Sequence, residues 1–306
     1  MIRFYKREQI DDDVWNGCVN KAVRSSVKGY TWYLDIVCEN WSALILNDYE
    51  AILPLPIKSK LGINYLLQPL FIRLLTIYSD KDVSVEWINQ FLDAIPPSIK
   101  LIDINLNVSD VVQRADFAIE TKPFQLLDLK VPYETIALGY KENVIRNLRK
   151  AEKNDLIIVE HIPVTQVIKM FKTNVGPKLK NVKEKNYKVL KTLMDKVIQR
   201  QCGFTAGVLN KDKQLVATAF FILSEKDISF FGSSTQLGKT SGAMFFLFDH
   251  IFKRYATQKD IFDFEGSSIK GIADFNKRFG AKDYVYLHLK RNSLPFLLKK
   301  WSGKYL

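Results

Sequence analysis

Two carboxylates late in the chain, Asp263 and Glu265, are the candidates for a proton acceptor. They lie in the segment 262–266, which alternates as a strand and ends at a glycine. Alternate residues of a strand share a face, so both carboxylates are expected on one side. A carboxylate whose pKa is raised by burial accepts a proton from an attacking amine or hydroxyl, directly or through water. The alternative is structural: Glu265 binds a backbone amide or Arg278.

The segment 236–243 precedes an apolar helix predicted over 244–257 and has the composition of an anion-binding turn. The first N–H groups of a helix lack partners and lie at the positive end of its dipole, so they bind phosphates. An ordinary capped helix start is the alternative. The candidate donor-binding residues belong to this segment and to the strand end before it: Gly232, Ser233, Ser234, Gln236, Gly238, Lys239, Ser241 and Gly242.

Basic residues outnumber acidic ones, with 45 Lys and Arg against 33 Asp and Glu, a net charge of +12 and a pI near 9.4. This excess favours a polyanionic partner such as nucleic acid, a nucleotide-bearing cofactor or anionic lipid. A charge that only aids solubility is the alternative. Eight lysines fall in the segment 166–191. A second basic cluster lies on one side of a helix predicted over 140–153: Arg146, Arg149, Lys150 and Lys153, of which the first three are candidate anion-binding residues.

Length and composition exclude several classes. A chain of 306 residues and 35.4 kDa indicates about two domains. Fractions of 47% hydrophobic and 25% charged residues exclude wholesale disorder. The apolar runs 65–78 and 243–252 fall short of the ~18–20 uncharged residues of a membrane span. The amino-terminal segment lacks the pattern of a signal peptide. Cys18, Cys38 and Cys202 are widely spaced, which indicates the cytoplasm, and the histidines lack metal-ligand spacing, so no metal is expected.

The predicted elements divide the chain into two α+β units. Strands, two helices and a hairpin over 41–57 form the first unit, up to about residue 130. The second unit has the order β-β-β-α-β-α-β after its first helices, which excludes a doubly wound parallel sheet. Its predicted elements are a helix over 140–153, a strand over 156–161, helices within 165–200, strands over 203–209, 215–223 and 228–232, a helix over 241–257, a strand over 261–265, a helix over 272–279 and a strand over 284–289.

Three motifs, in order over residues 140–290, resemble those of the Fem-type peptidyltransferases and related acetyltransferases of the GNAT superfamily. The segment 145–153, IRNLRKAEK, is similar to the R-x-x-[IL]-[RK]-K-A segment that opens the family's second domain. The segment 262–267, FDFEGS, is similar to its strand ending in [DN]-F-x-G. The segment 271–280, GIADFNKRFG, is close to its G-[LIV]-x-x-F-K-x-x-F-G. The ordered set is more specific than any one motif.

The resemblance implies an α+β fold of two tandem GNAT-like domains, with mixed, mostly antiparallel sheets flanked by helices. It implies a divergent GNAT-like domain over 1–132 and an acyltransferase domain over 133–306, with a tail, 290–306, that packs back on the first domain. The implied activity moves an acyl group, acetyl in the simplest case, from acyl-CoA to an amine or hydroxyl of a small or envelope-related acceptor. The acceptor attacks directly, so the enzyme needs no nucleophile of its own.

In GNAT-type folds the donor enters where two neighbouring strands part, here 228–232 and 261–265. The resemblance thus implies carbonyl polarisation by an N–H near Gly232 or Ser233, and proton removal by Glu265. Two departures from the family pattern stand out. Lys239 occupies the position of the first glycine in the superfamily's Q-x-x-G-x-[GA].

The second departure concerns the lysine of the third motif, which the cell-wall members use to bind a substrate's phosphates. Asn276 occupies its position, which weakens a muropeptide substrate, and Asn276, Lys277 and Arg278 are the remaining anion-binding candidates there. Two other functions stay open. A Fem-like aminoacyl-tRNA-dependent transferase suits the basic charge, but Phe171 and Tyr187 give the lysine-rich segment few rings for base stacking. A catalytically silent module that binds anions or nucleic acid is the other alternative.

Overall fold

A computed structural model describes residues 1–108, 110, 112–179, 182–265 and 270–295 of the chain. The described chain divides into two compact units, one formed by Met1–Lys122 together with residues 285–295, the other by Pro123–Tyr284. The domain boundary at 132/133 stays a prediction. Of the predicted tail, residues 290–295 belong to the first unit, and 296–306 lie outside the described residues, as do Lys180, Gly266 and Ser267.

The first unit contains two groups of hydrogen-bonded strands. One has the order β1-β2-β3-β6 and the other the order β4-β5-β7-β14. The predicted hairpin over 41–57 is confirmed as the antiparallel pair β2–β3. The bounds are β1 Ile2–Lys6, α1 Asp12–Lys21, α2 Thr31–Val37, β2 Ser42–Leu46, β3 Ala51–Leu55, β4 Ile57–Lys60, β5 Ile63–Leu67, β6 Tyr78–Ser79, α3 Val85–Asp93, β7 Ile99–Leu106, β8 Ala118–Asp128 and β14 Lys282–Asn292; β8 and β14 each contribute residues to both units.

The second unit is a mixed sheet of order β8-β13-β12-β11-β10-β9, in which only the pair β12–β13 is parallel among the register pairs described. Its elements are α4 Tyr133–Leu138, α5 Glu142–Lys153, β9 Ile157–Glu160, α6 Val164–Asn174, α7 Glu184–Gln199, β10 Gly203–Leu209, β11 Leu215–Leu223, β12 Asp227–Ser234, α8 Gln236–Ser241, α9 Ala243–Tyr255, β13 Ile261–Asp263 and α10 Lys270–Lys277.

Helices cover both faces of this second sheet. The helix α9 packs in the core through one face, on which Leu247, Phe248, Ile251 and Phe252 are fully buried, while Lys253 and Arg254 are exposed. Phe248 packs edge-on against Phe262 of β13, with ring centroids 5.5 Å apart. On the opposite face α6 contacts β11 and β12. In the described part of the chain, no helix has the length and apolar character needed to cross a membrane.

Hydrogen bonds from two tyrosines connect α4 and the start of α5 to α9. The hydroxyls of Tyr133 and Tyr140 each donate a hydrogen bond of 2.8 Å to Oδ1 of Asp249. Burial, together with the Asp249 carboxylate, raises the pKa of both phenols well above the ordinary range. They therefore stay protonated and act as donors throughout the physiological pH range.

The predicted α+β class with mixed, mostly antiparallel sheets is confirmed, and the differences are local. The predicted strand 261–265 ends at Asp263, and the predicted turn 236–243 is largely the short helix α8. The helical region 165–200 consists of α6, a 3-10 turn at Gly176–Lys178 and α7. For β13 and for the region 165–200 the sequence indicated the element type, whereas for 236–243 it indicated a turn where the structure has a helix. Side-chain hydrogen bonds and packing determine where each element ends.

Candidate functional site

The strands β12 and β13 part after three residue pairs. Their parallel pairing runs from Asp227 opposite Ile261 to Ser229 opposite Asp263, and no later pair exists among the described residues. On its other side β12 stays paired with β11 as far as Ser234. One edge of β12 from Phe230 to Ser234 therefore carries no described strand partner.

A turn at the end of β13 makes the strands diverge. Oδ1 of Asp263 accepts a hydrogen bond of 2.8 Å from the backbone N–H of Glu265, an arrangement typical of an Asx turn. Glu265 has a left-handed backbone with φ of +52°, so it is no longer on the strand. The expectation that alternation alone would place both carboxylates on one strand face is wrong for this reason. Both residues are half-buried where the strands part.

Gly232 allows β11 and β12 to approach closely beside this gap. A methyl group at Gly232 would lie 2.7 Å from the carbonyl oxygen of Thr218. Ser233 and Ser234, which follow, are buried. Of the predicted donor-binding residues, these three thus lie on the part of β12 whose outer edge has no described strand partner, and their role in donor binding stays a prediction.

The predicted phosphate-binding turn has a different structure. Its residues form α8, whose N-terminus is capped because the N–H of Gly238 donates to Oγ1 of Thr235 at 3.0 Å. Gly242 then joins α8 to α9 with φ of +84°, and a methyl group there would lie 2.5 Å from the carbonyl oxygen of Asn147 in α5. Within this segment the side chains of Gln236 and Lys239 are exposed, whereas Gly238, Ser241 and Gly242 are buried.

The basic residues of α5 are accessible. Arg146, Arg149 and Lys150 are exposed, and no carboxylate of the described residues forms an ion pair with them. They share α5 with Asn147, which contacts the α8–α9 junction. An exposed guanidinium or ammonium without an intramolecular carboxylate is ready to bind a phosphate.

Comparison with solved structures identifies the fold. The crystal structure of FemX superposes with a TM-score of 0.68 at 11% identity, covering 95% of this chain and 98% of that chain. The chain has a GNAT-like fold of the Fem type. The Fem-type fold also relates it to L-PGS from Bacillus licheniformis, with a TM-score of 0.56 at 12% identity, covering 95% of this chain and 94% of that chain.

A conserved protein of unknown function from Bacteroides thetaiotaomicron shares the Fem-type fold. It superposes with a TM-score of 0.62 at 10% identity, covering 95% of this chain and 100% of that chain. No protein-family model and no curated protein matches the sequence. The evidence for the Fem-type fold is therefore structural, and it concerns the fold of the chain.

In this Fem-type fold, Asn276 is enclosed. It is 1% exposed, and its Nδ2 donates to Oε1 of Gln125 at 3.2 Å. Gln125, fully buried, in turn donates from Nε2 to Oδ1 of Asp283 at 3.0 Å. Asp283 also pairs with Lys277, whose Nζ lies 2.6 Å from Oδ2. Lys277 and Gln125 hold the pKa of the Asp283 carboxyl below its ordinary value. Asn276, predicted to bind an anion, thus contacts a buried amide.

Arg278 is joined to α5. Its Nη1 donates to Oδ1 of Asn143 at 3.1 Å, and its carbonyl oxygen accepts from the N–H of Lys141 at 2.8 Å. The structure brings Arg278 to the helix that carries Arg146. Lys277, held by Asp283, points its ammonium to a different partner. The sequence analysis grouped Asn276, Lys277 and Arg278 because they are adjacent in the chain. In the structure each contacts a different partner: Gln125, Asp283 and Asn143, respectively.

The three histidines do not form a shared site. His161 lies at the end of β9, His250 lies on α9, and His288 lies on β14 in the first unit. Among the described residues, no group of three or more His, Cys, Asp or Glu side chains has the geometry to hold a metal ion. Sequence reasoning missed Thr218, a threonine within the apolar run of β11, whose buried hydroxyl lies beside Ser233.

Proposed function

We propose that this protein is an acyltransferase that moves an acyl group, acetyl in the simplest case, from acyl-CoA to an amine or hydroxyl acceptor by direct attack, in the cytoplasm. The observation that carries the proposal is the parting of β12 and β13 after Ser229 and Asp263. Beyond this point one edge of β12 has no strand partner among the described residues, and we take this gap as the donor slot. The Fem-type fold of the chain supports the same reaction class.

An extended donor arm suits such a slot. Backbone N–H and C=O groups along Phe230–Ser234 can pair with the amides of a pantetheine arm, as a further strand would. Gly232 carries no side chain to obstruct the approach. An N–H near Gly232 or Ser233 would then polarise the thioester carbonyl, and this effect is strong where water is excluded.

The proposed proton acceptor is Glu265, with Asp263 as its positioning partner. The Asx turn fixes the backbone of Glu265 at the mouth of the slot, since its N–H is held by Asp263. A carboxylate at this place can take a proton from the acceptor directly or through a water molecule. The acceptor itself, small or envelope-related, belongs to the proposal.

The anionic end of the donor would meet exposed cations instead of a glycine-rich turn. The helix α8 is capped by Thr235, so its first N–H groups are partly used. Arg146, Arg149 and Lys150 of α5 are exposed, and α5 packs against both α8 and α9. We assign these three residues, with Lys239, to the phosphates of the donor.

One observation favours a second candidate, an aminoacyl-tRNA donor. Besides α5, the helix α7 carries exposed lysines, among them Lys185 and Lys188, so the cationic surface exceeds what one nucleotide needs. A catalytically silent anion-binding module would share this surface. Of the three candidates, only the acyl-CoA-dependent transferase is expected to bind an acyl-CoA more tightly than its phosphates alone.

Calorimetric titration of the full chain with acetyl-CoA, CoA, adenosine 3′,5′-bisphosphate and pyrophosphate at fixed salt tests the proposal. Pantetheine in the slot predicts that CoA and acetyl-CoA bind at least about tenfold more tightly than the bisphosphate. Equal affinities for all four would indicate charge alone and contradict the proposal. A deacylated tRNA that binds tightly while acetyl-CoA does not would favour the second candidate.

A further inference from the structure

Two buried hydroxyls lie opposite each other on neighbouring strands. Thr218 of β11 and Ser233 of β12 form a cross-strand pair of the antiparallel ladder. Thr218 is 0% exposed and Ser233 is 6% exposed. Neither Oγ1 of Thr218 nor Oγ of Ser233 has a hydrogen-bond partner among the described residues. Buried side-chain hydroxyls nearly always have one, so two adjacent exceptions require an explanation.

The pair lies on the sheet face that α6 covers. Ser233 alternates with Phe231 on β12, and the ring of Phe231 packs on Phe171 of α6 with centroids 4.1 Å apart. Thr218 is flanked on its other side by Gly207 of β10, which adds no side chain. Ser233 also belongs to the part of β12 whose outer edge has no described strand partner. A ligand that lies along this edge would therefore meet Ser233 before Thr218, which is one strand further from the edge.

The surroundings determine which chemical group the pair suits. The same-face neighbours on β11 and β12 include Val216, Phe220 and Phe231, which carry no charge. A charged ligand group would lose its hydration there without a counter-ion. A hydroxyl both donates and accepts a hydrogen bond, so two of them offer one donor and one acceptor. A secondary amide needs one of each, for its C=O and its N–H.

We propose that Thr218 and Ser233 bind a secondary amide of a substrate, and that this amide supplies the partners that both hydroxyls lack. The inference rests on the proposed function for the location of the slot. The amide has two chemical sources, the pantetheine arm of the donor or a peptide-like acceptor. Both hydroxyls then select for substrates with an amide at this position over aliphatic ones of equal size.

Three variants separate a binding role from a structural one. Thr218→Val and Ser233→Ala each remove one hydroxyl that has no described partner. Thr205→Val is the matched control, because Thr205 is 1% exposed on the same face and its Oγ1 donates to the carbonyl oxygen of Ile162 at 2.6 Å. Thr205→Val is expected to lower the melting temperature. Thr218→Val and Ser233→Ala are expected to leave it unchanged or raise it, since no described hydrogen bond is lost.

Binding is measured by titration with two amide probes, pantetheine and N-acetylglycinamide, and with acetyl-CoA. Thr218→Val and Ser233→Ala are each expected to weaken at least one amide probe by about tenfold, while Thr205→Val does not. A loss confined to pantetheine assigns the amide to the donor arm, and a loss confined to N-acetylglycinamide assigns it to the acceptor. Both results support the proposal.

Two results would overturn the amide site. One is a fall in melting temperature for Thr218→Val as large as that for Thr205→Val, which would reveal a structural partner. The other is unchanged affinity for both amide probes in both variants, whatever acetyl-CoA does. Failure of the proposed function is distinct, because it appears as absence of acetyl-CoA binding in the wild type. In that case the affinity for N-acetylglycinamide alone decides the amide site.

Discussion

Ser229 and Asp263 form the last described pair of the parallel ladder between β12 and β13. Directly after this pair, Asp263 accepts the N–H of Glu265 and the chain leaves the sheet with a left-handed backbone. One carboxylate thus ends the strand and, through the turn that it closes, also places the candidate base. The slot and the base have a common structural origin, which makes them testable together.

Glu265→Gln should separate proton transfer from donor binding. The substitution keeps the shape of the side chain and the backbone N–H that Asp263 accepts, but it removes the basic carboxylate. If Glu265 is the general base, acyl transfer falls by about 10²–10⁴-fold while the dissociation constant for acetyl-CoA stays the same. Transfer is followed by release of free CoA thiol, with calorimetry for binding.

Glu225→Gln is the control for that experiment, because Glu225 is an exposed glutamate in the turn before β12. It should leave both quantities unchanged. Transfer by Glu265→Gln within a few-fold of the wild type would make Glu265 a structural residue.

Removing the cations of α5 should weaken the binding of phosphates without unfolding the chain. The triple replacement of Arg146, Arg149 and Lys150 by alanine is expected to reduce acetyl-CoA affinity roughly tenfold at low salt, because each exposed charge contributes about 0.2–1 kcal/mol. The difference should shrink as salt is raised. The melting temperature should change little.

The matched control for the α5 triple removes the same charge elsewhere on the second unit, by alanine at exposed Lys169, Lys185 and Lys188. An equal loss of affinity in both triple variants would show that net charge, not the position on α5, governs binding. That result would remove α5 from the donor site.

Asn276→Leu tests the buried amide pair. The change would leave Oε1 of Gln125 buried without its described donor, so the free energy of unfolding should fall by about 1–3 kcal/mol. Asp283→Asn is the comparison, since the Lys277–Asp283 pair is 45% exposed on both sides and should contribute no more than about 1 kcal/mol. Urea denaturation measures both, and equal effects would contradict a specific role for Asn276.

His288 is expected to make the free energy of unfolding depend on pH. Its Nδ1 lies 2.8 Å from Oδ1 of Asn105 and its Nε2 lies 3.5 Å from Oδ1 of Asp103. Burial lowers the pKa of His288 below 6.5, against the opposing effect of Asp103. The unfolded chain therefore binds this proton more readily, and the free energy of unfolding decreases as pH falls below 6.5 toward the folded-state pKa.

His288→Gln should remove that part of the dependence. Urea denaturation from about pH 7.5 to about pH 5.5 is expected to show a shallower loss of stability on acidification than in the wild type. The same substitution at His161, which is 76% exposed, controls for the loss of one imidazole. A slope unchanged by His288→Gln would contradict the assignment.

The element types of the second unit follow from the sequence because their patterns are local. Short apolar segments separated by turns indicate β10, β11 and β12, and the many apolar residues of α9 indicate a helix that packs in the core. The three ordered motifs predicted the fold, and the crystal structure of FemX shares that fold. The location of a gap between β12 and β13 also follows from that resemblance.

The ends of elements and the partners of polar groups could not be predicted in the same way. Alternation continues through Glu265, yet the side chain of Asp263 ends the strand by accepting a backbone N–H. The Thr235 cap turns an expected loop into α8. Gln125 meets Asn276 across 151 residues of chain. The turn at Asp263 and the cap at Thr235 are local contacts that hydrophobic patterning does not capture. The Gln125–Asn276 contact depends on tertiary structure and leaves no local pattern.

Hydrogen–deuterium exchange of β12 tests the central claim most directly. The full chain is compared alone, with saturating acetyl-CoA and with saturating pyrophosphate. Because a pantetheine arm would pair with the free edge of β12, acetyl-CoA is expected to slow exchange in peptides covering Phe230–Ser234, and pyrophosphate is not. If acetyl-CoA binds by calorimetry and exchange over Phe230–Ser234 is unchanged, the donor does not occupy the slot and the account is contradicted.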